Sequence, residues 1–572
     1  MRDLNLVPAE WIKKLKLVLL SFSLFFLGIN IYAQQDTSNL RFEISFPSKL
    51  QKQPVTGRIF LIIAAKDGIE PRLQMRSGPA LFGVDINQLK PDVTIEINND
   101  CPGSPVRSLR NLPAGDYYVQ AVLNVYTEFH RSDGYTIWAH MDQWEGQKFY
   151  KSPGNLISDP VKISIEPGVS NSYKLSLTKV IPPVELPQNT SYLKYIKIKS
   201  ELLSKFWGHP FYLGAAILLP KGYDTHPAVY YPVEYIQGHF SLDPVNGFST
   251  ENTPESEEDR QRRLRNYDET GYEYYQAWTS ENFPRMICVT FQHPTPYYDD
   301  SYAVNSANNG PYDDAIMTEL IPYIEKNFRI ITEPYARAVT GGSTGGWETL
   351  ALQIHHPDFF GGAWVFYPDP IDFRQYGIVN IYDDDNAFFL KNTWGSVERP
   401  MSRTSTGQTT ETIREASYGE SVLGSKDRSG EQLAIWEAAY GPVGEDGYPK
   451  PLWNPVTGKI DHSVSDYMRD HGYDLRYYLE SNWSSLGPKL KGKLHFYCGD
   501  MDNLFLNLGV YLMEDFLKAT KNPYYDGYFE YGRPLKGHGW HPMKNYELDQ
   551  MIGQYILNNT PKEKLSVKWM YK

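Results

Sequence analysis

The sequence predicts two unlike regions in one chain: an all-β region first, then an α/β region built on a mostly parallel sheet. Three observations carry this. Residues 36–183 hold short alternating runs, among them LRFEISF, GRIFLIIAA and DYYVQAVLNVY, separated by Gly, Pro and Asn or Asp turns with no long helical pattern. From residue 191, apolar runs of strand length alternate with helical patterns, the grammar of a parallel sheet covered on both faces. At 572 residues the chain also exceeds what one hydrophobic core supports.

Taken in order, the chain starts with Lys13, Lys14 and Lys16, the apolar run Leu17–Ile29 and then Ile31-Tyr32-Ala33. That is the order of a secretory signal peptide over residues 1–33, giving a mature chain from about Gln34 that is exported to the periplasm or beyond. The apolar run is shorter than the roughly 20 residues of a membrane span, so no membrane attachment is expected after cleavage. The β region, 36–183, closes with VKISIEP and SYKLSLTKV and has the size of an Ig-like sandwich. IPPVELPQN at 181–189, with three prolines, reads as a stiff linker.

In the α/β region, 191–572, eight runs read as strands: YLKYIKIKSELL, FYLGAAILLP, YYPVEYIQG, RMICVTF, RAVTGG, GGAWVFY, KLHFYCG and GYFEYG. DDAIMTELIPYIEKNF and WETLALQIHH read as helices between them. A polar, Tyr-rich insertion at 371–490 interrupts the alternation, with helices at GEQLAIWEAAY and DHSVSDYMRDH, and has the size of a lid or substrate-binding cap.

Composition narrows the partners. Hydrophobic residues are 41 % and charged residues 22 %, and a net charge of −12 argues against nucleic acid or an anionic membrane, both of which need a basic face. Aromatics at 14 %, led by 43 tyrosines, suit stacking on sugars or aryl groups and suit packing equally. The three cysteines, Cys101, Cys288 and Cys498, lie far apart, and those in MICVTF and LHFYCG read as buried thiols. No metal motif stands out and no cofactor is expected. The oligomeric state is not legible.

The chemistry concentrates at AVTGGSTGGWE, 338–348. GGSTG fits G-x-S-x-G, the turn that presents a nucleophilic serine, here Ser343, between an apolar strand and a helix. The helix N-terminus beneath it favours negative charge, with the Thr344 N–H as an oxyanion donor. In the chain order Ser, Asp, His, CGDMDN then offers Asp500 and Asp502 at a strand end, and KGHGWHP offers His538 and His541. Asp369, after the sixth strand, ranks third as the acid.

At these motifs the sequence resembles a family. Residues from about 192 to 558, nearly two thirds of the chain, resemble the "putative esterase" (esterase D-like) branch of the α/β-hydrolases, which includes feruloyl and acetyl-xylan esterases, S-formylglutathione hydrolases, enterochelin esterases and mycolyltransferases. The matching pieces are LLPKGYD with YPVEYIQG, ELIPYIEKNFRI, AVTGGSTGGWETL, HPDFFGGAWVFYP, CGDMD and GHGW. The resemblance implies an α/β-hydrolase domain with Ser343 as nucleophile, His538 as general base and Asp502, three residues after Gly499, as the orienting acid. Asp500 is the runner-up. The family's usual His-Gly after the third strand is replaced by Gln237-Gly238, followed by His239, whose backbone N–H is then the second oxyanion donor.

Other groups read more blandly. Asp299-Asp300, Asp313-Asp314 and Asp383–Asp385 lack the spacing of a cation loop and are expected on a solvated face. His355-His356 reads as a helix end, and Tyr376, Tyr382, Trp394 and Trp436 as pocket or lid aromatics. The reading is thus a secreted serine esterase acting on acyl groups of carbohydrate-linked or other small-molecule esters. Its rivals are a siderophore-ester hydrolase and a non-catalytic glycan-binding protein on a hydrolase fold.

Overall fold

The computed structural model describes residues 40–75, 78–166, 168–562 and 568–571. The expected signal segment, 1–33, lies outside the described residues. Among those described, no helix is long and apolar enough to cross a membrane.

The N-terminal region is all-β. Its main strands are β1 (Arg41–Ser45), β2 (Val55–Ala64), β3 (Ala80–Leu89), β4 (Gly115–Val125), β5 (Thr127–His130), β6 (Thr136–Ala139), β7 (Leu156–Ser158) and β8 (Ser172–Val180). Pairing runs β1-β8-β7-β4-β2-β3, with short strands at both edges. β1 and β8 alternate exposed and buried residues, as a half-covered strand should. β2 is buried along its whole length, because GRIFLIIAA is apolar on both faces. Ile59, Leu61 and Ile63 enter the core of the β region. Phe60 and Ile62 point the other way and join Leu81, Val122 and Phe149 around Val422, which belongs to the insertion. Each such burial contributes about 1.5–3 kcal/mol. The β5–β6 hairpin departs further: Phe129, Ile137 and Ala139 pack in the core of the α/β region.

The eight strands read from residue 191 onward form one sheet. They are β9 (Leu193–Ser200), β10 (Phe211–Leu218), β11 (Val233–Gln237), β12 (Ile287–Gln292), β13 (Arg337–Gly342), β14 (Gly362–Phe366), β15 (Leu494–Gly499) and β16 (Tyr528–Gly532). The order is β9-β10-β12-β11-β13-β14-β15-β16. β10 is antiparallel to both neighbours, and the strands from β12 to β16 are mutually parallel. Successive residues of β13 and β14 are buried, so both faces of the sheet are covered. In such a sheet the carboxyl ends of the strands gather the loops that form a site.

The helices needed below are α1 (Gly271–Trp278), α2 (Thr344–His355), α3 (Ile413–Leu423), α4 (Gln432–Tyr440) and α5 (Leu475–Leu490). α4 and a helix at His462–Asp470 fall where the insertion was read as helical; α3 and α5 were not read. α2 ends at His355, and His356 Nε2 then meets Asp313 Oδ1 at 2.7 Å. Cys288 and Cys498 are buried and Cys101 partly so. Two expectations change. Trp394, at the tip of a hairpin in the insertion, is 95 % exposed and lines nothing. Asp300 is not on a solvated face; it is buried on the loop that follows β12.

Candidate active site

Ser343 is the single residue between β13, which ends at Gly342, and α2, which starts at Thr344. One residue must turn the chain from extended to helical, and Ser343 does so at φ 58°, ψ −121°. Such a conformation costs a non-glycine residue about 1–3 kcal/mol, and the surroundings must enforce it. A Cβ on Gly345 would lie 2.2 Å from the Gln237 carbonyl oxygen, and one on Gly341 2.3 Å from the Gly345 oxygen. Both glycines are therefore conditions of close approach. The Ser343 N–H donates to Phe366 O at 3.1 Å, and the Ser343 carbonyl accepts from the N–H groups of Gly346, Trp347 and Asp369. Thr344 heads the helix, where an N–H has no intrahelical acceptor.

The second half of the site comes from β15 and the loop after β16. Asp502 is wholly buried. Its Oδ1 accepts from the N–H of Leu504 at 2.8 Å and of Leu506 at 3.3 Å, and its Oδ2 lies 2.8 Å from His538 Nδ1. His538 is held by its own N–H to Asn503 Oδ1 at 2.8 Å and by the Tyr367 ring, 4.9 Å away edge-on. Burial alone would depress its imidazole pKa, but the hydrogen bond and charge of Asp502 more than offset this, so it lies above the usual histidine value.

The alternatives are placed elsewhere. Asp500 Oδ1 accepts the Lys536 N–H at 3.0 Å. His541 is tied to Asp268 Oδ1 at 3.0 Å and to the Met543 carbonyl. His239 follows β11 by two residues, with its half-exposed imidazole 3.1 Å from Asp299 Oδ1. Desolvation works against its charge, but Asp299, Asp300 and Asp369 push its pKa up to about 9, so it is a cation at neutral pH.

One partner of Ser343 was read in another role. Ser343 Oγ donates to Asp369 Oδ1 at 3.2 Å and makes no hydrogen bond to His538 in this structure. Asp369 Oδ2 accepts from Tyr302 Oη (2.5 Å), Thr344 Oγ1 (3.2 Å), Gln432 Nε2 (3.0 Å) and Trp436 Nε1 (3.4 Å). Asp369 therefore holds the Ser343 hydroxyl itself and not His538. Burial raises its pKa, partly countered by Tyr302 and by the charges of His538 and His239. Sequence signals for Gln432 and Tyr302 were lacking, because both reach Asp369 across long sequence separations. Beside the turn lies a cleft of about 130 Å³ lined by Gln237, Asn246, Tyr367, His541 and Asn545 among others.

Residues 213–414 match the family described as "Putative esterase". The matched stretch takes in Ser343 and Asp369 and ends before Asp502 and His538, which rest on the geometry above. Similar solved structures include a ferulic acid esterase (16 % identity, 64 % of this chain and 98 % of the other, TM-score 0.35). Others are an S-formylglutathione hydrolase from Staphylococcus aureus (14 %, 64 % and 98 %, 0.29) and a ferulic acid esterase from Anaeromyces mucronatus (14 %, 65 % and 92 %, 0.28). No curated protein matches the chain.

Proposed function

We propose that this chain, which carries an esterase-family segment over residues 213–414, is a secreted serine carboxylic-ester hydrolase with Ser343, His538 and Asp502 as its triad. The observation that carries the reading is Ser343 held at φ 58° at the head of α2, with the His538–Asp502 pair at 2.8 Å on the strand ends of the same sheet. In this reaction the Ser343 hydroxyl leaves Asp369 and donates to His538 Nε2. His538 takes the proton as Oγ attacks the ester carbonyl, and Asp502 keeps the imidazole proton on Nδ1 and offsets the charge that forms. The N–H groups of Thr344 and His239 hold the oxyanion. The alcohol leaves with the proton from His538, and water, activated by the same imidazole, releases the acyl group.

The substrate class we propose is an acyl ester on a carbohydrate. Its support is the cleft beside Gly341 and Gly342, whose amides suit hydroxyl groups and whose Tyr367 suits a ring. The insertion 371–490 is the lid, and the N-terminal region is an Ig-like sandwich that braces it.

The test is Ser343→Ala in the mature chain, assayed on p-nitrophenyl acetate and on acetylated and feruloylated oligosaccharides. Turnover and covalent labelling by a fluorophosphonate should both vanish while the melting temperature stays. Undiminished turnover would sink the triad. Sugar binding with no turnover by the native chain would favour the glycan-binding alternative.

A further inference from the structure

Asp369 does not belong to the proposed triad, yet it is the residue that the Ser343 hydroxyl touches. It lies three residues beyond the end of β14, is 1 % exposed, and donates its own N–H to the Ser343 carbonyl at 3.1 Å. Its two carboxylate oxygens keep unlike company. Oδ2 accepts from Tyr302, Thr344, Gln432 and Trp436, the last two on α4 of the insertion. The Trp436 Nε1–H and the Gln432 amide nitrogen can only donate, so Oδ2 is fixed as an acceptor and the carboxylate is held in place. Oδ1 has one donor among the described residues, the Ser343 hydroxyl at 3.2 Å. Burial works against the carboxylate charge, and Tyr302, His538, His239 and Thr344 work for it.

A serine hydroxyl carries one proton. In the hydrolysis proposed above that proton passes to His538 Nε2 as Oγ bonds to the ester carbon, so Asp369 Oδ1 loses its donor in the step that forms the tetrahedral intermediate. A buried charged oxygen left bare is unfavourable enough to slow that step about fivefold to a hundredfold. A group arriving with the substrate relieves this if it donates where the serine did. The ester linkage itself has no proton to give, but the alcohol part can supply one. In the tetrahedral intermediate the alcohol oxygen and Oγ share one carbon. A hydroxyl on the carbon beside the esterified one therefore comes within reach of an acceptor that had been touching Oγ.

Resting on the esterase reading of this site, we propose that Asp369 is a specificity-determining residue. Its Oδ1 accepts a hydrogen bond from a free hydroxyl beside the scissile ester, which selects partly acylated polyols and sugars over esters whose neighbouring oxygens are blocked. The substrate hydroxyl keeps its proton and forms no bond to carbon; it replaces the serine as the donor to Oδ1 while His538 holds the serine's proton. The insertion then has a chemical role, since Gln432 and Trp436 hold the carboxylate that reads the substrate.

The experiment compares kcat/KM of the mature chain for 2-hydroxyethyl acetate and 2-methoxyethyl acetate, each divided by its rate with hydroxide alone, with p-nitrophenyl acetate alongside. The hydroxy ester should react faster by at least about fivefold; a smaller ratio overturns the inference in favour of water as the replacement donor. In Asp369→Asn the donors around Oδ2 take the amide oxygen, so Nδ2 faces Ser343 and can only donate. The ratio should then fall to about one or below, a change that loss of packing alone does not produce, and a ratio kept at the native value overturns the proposal. Should that variant be inactive or fail to fold, a crystal structure of Ser343→Ala soaked with 2-hydroxyethyl acetate gives the reading. The ester's hydroxyl on Asp369 Oδ1 supports the proposal; water there, or nothing, overturns it. A native chain inert toward all three esters fails the esterase reading and takes this inference with it, whereas turnover of p-nitrophenyl acetate with no preference within the pair fails this inference alone.

Discussion

Asp500 and Asp502 lie two residues apart on one loop and differ only in what they face. Asp502 is buried against His538 Nδ1, and Asp500 accepts a main-chain N–H from Lys536. Asp502→Asn should therefore lower kcat by about 10³–10⁴, the loss typical when the imidazole tautomer is no longer enforced, and Asp500→Asn should leave kcat within a few-fold. The pH profile gives a second reading. The proposed base, His538, would work neutral and its folded pKa is raised, so kcat/KM should climb with pH through a midpoint above the ordinary histidine value of about 6.5. In Asp502→Asn the raising partner is gone and that midpoint should move down. Ser343 was legible from its strand-turn-helix context, whereas Asp502 over Asp500 and His538 over His541 were legible only through the family resemblance, since the residues alone offered two acids and two histidines. Asp369's contact with Ser343 was not, because the reach of one side chain across a sheet edge leaves no period in the sequence.

At the scale of elements, the eight sheet strands were legible as apolar runs, whereas α3 was not. Only Ile413, Ser417 and Val422 of α3 are buried, too sparse a stripe to stand out from a polar insertion. Yet α3 links the two regions. Arg58, on β2, donates from Nε and Nη2 to the Val422 carbonyl at 3.1 and 2.8 Å and from Nη2 to the Ser421 carbonyl, while Nη1 pairs with Asp85 at 2.7 Å. Glu420 of α3 accepts the Leu433 and Ala434 N–H groups at the start of α4, the helix whose Gln432 and Trp436 reach Asp369. Arg58→Ala strips the cap from a buried helix end and should cost about 1–3 kcal/mol by chemical denaturation, the range for buried carbonyls left without a donor. The link is also pH-sensitive. Burial pushes the Glu420 carboxyl up to about 7, and burial together with the Asp427 charge raises Glu437 well above its ordinary value. The folded state thus holds protons that the unfolded chain releases near pH 4.5, so the stability of the insertion should fall as pH rises from about 5 through 7. Amide exchange of residues 413–440 should be faster at pH 8 than at pH 5.5; equal or slower exchange, after correction for intrinsic rates, would contradict this.

For the whole molecule, a proline-rich stretch at 181–189 reads as a boundary, but packing does not respect it. Phe129, Ile137 and Ala139 sit in the core of the α/β region, and Val422 sits in a cluster with the β region. A chain beginning at residue 191 loses the first set and bares the second. It should be recovered as aggregate or melt well below the full chain, measurable by size exclusion and calorimetry. A soluble, equally stable fragment would show that the two regions fold independently. Two-region organisation was legible from the change in strand and helix rhythm. The crossing of side chains between the regions was not, since an apolar residue in a sequence does not say which core it joins.

The two-sided strand β2 carries a further consequence, in time rather than in space. A ribosome releases Phe60 and Ile62 some 360 residues before Val422, the residue that shares their cluster. For that interval the β region can complete its own core and still present a greasy outer face. Nascent chains in this state are sticky, so the period between making the first region and making α3 is when this protein most needs a chaperone's cover.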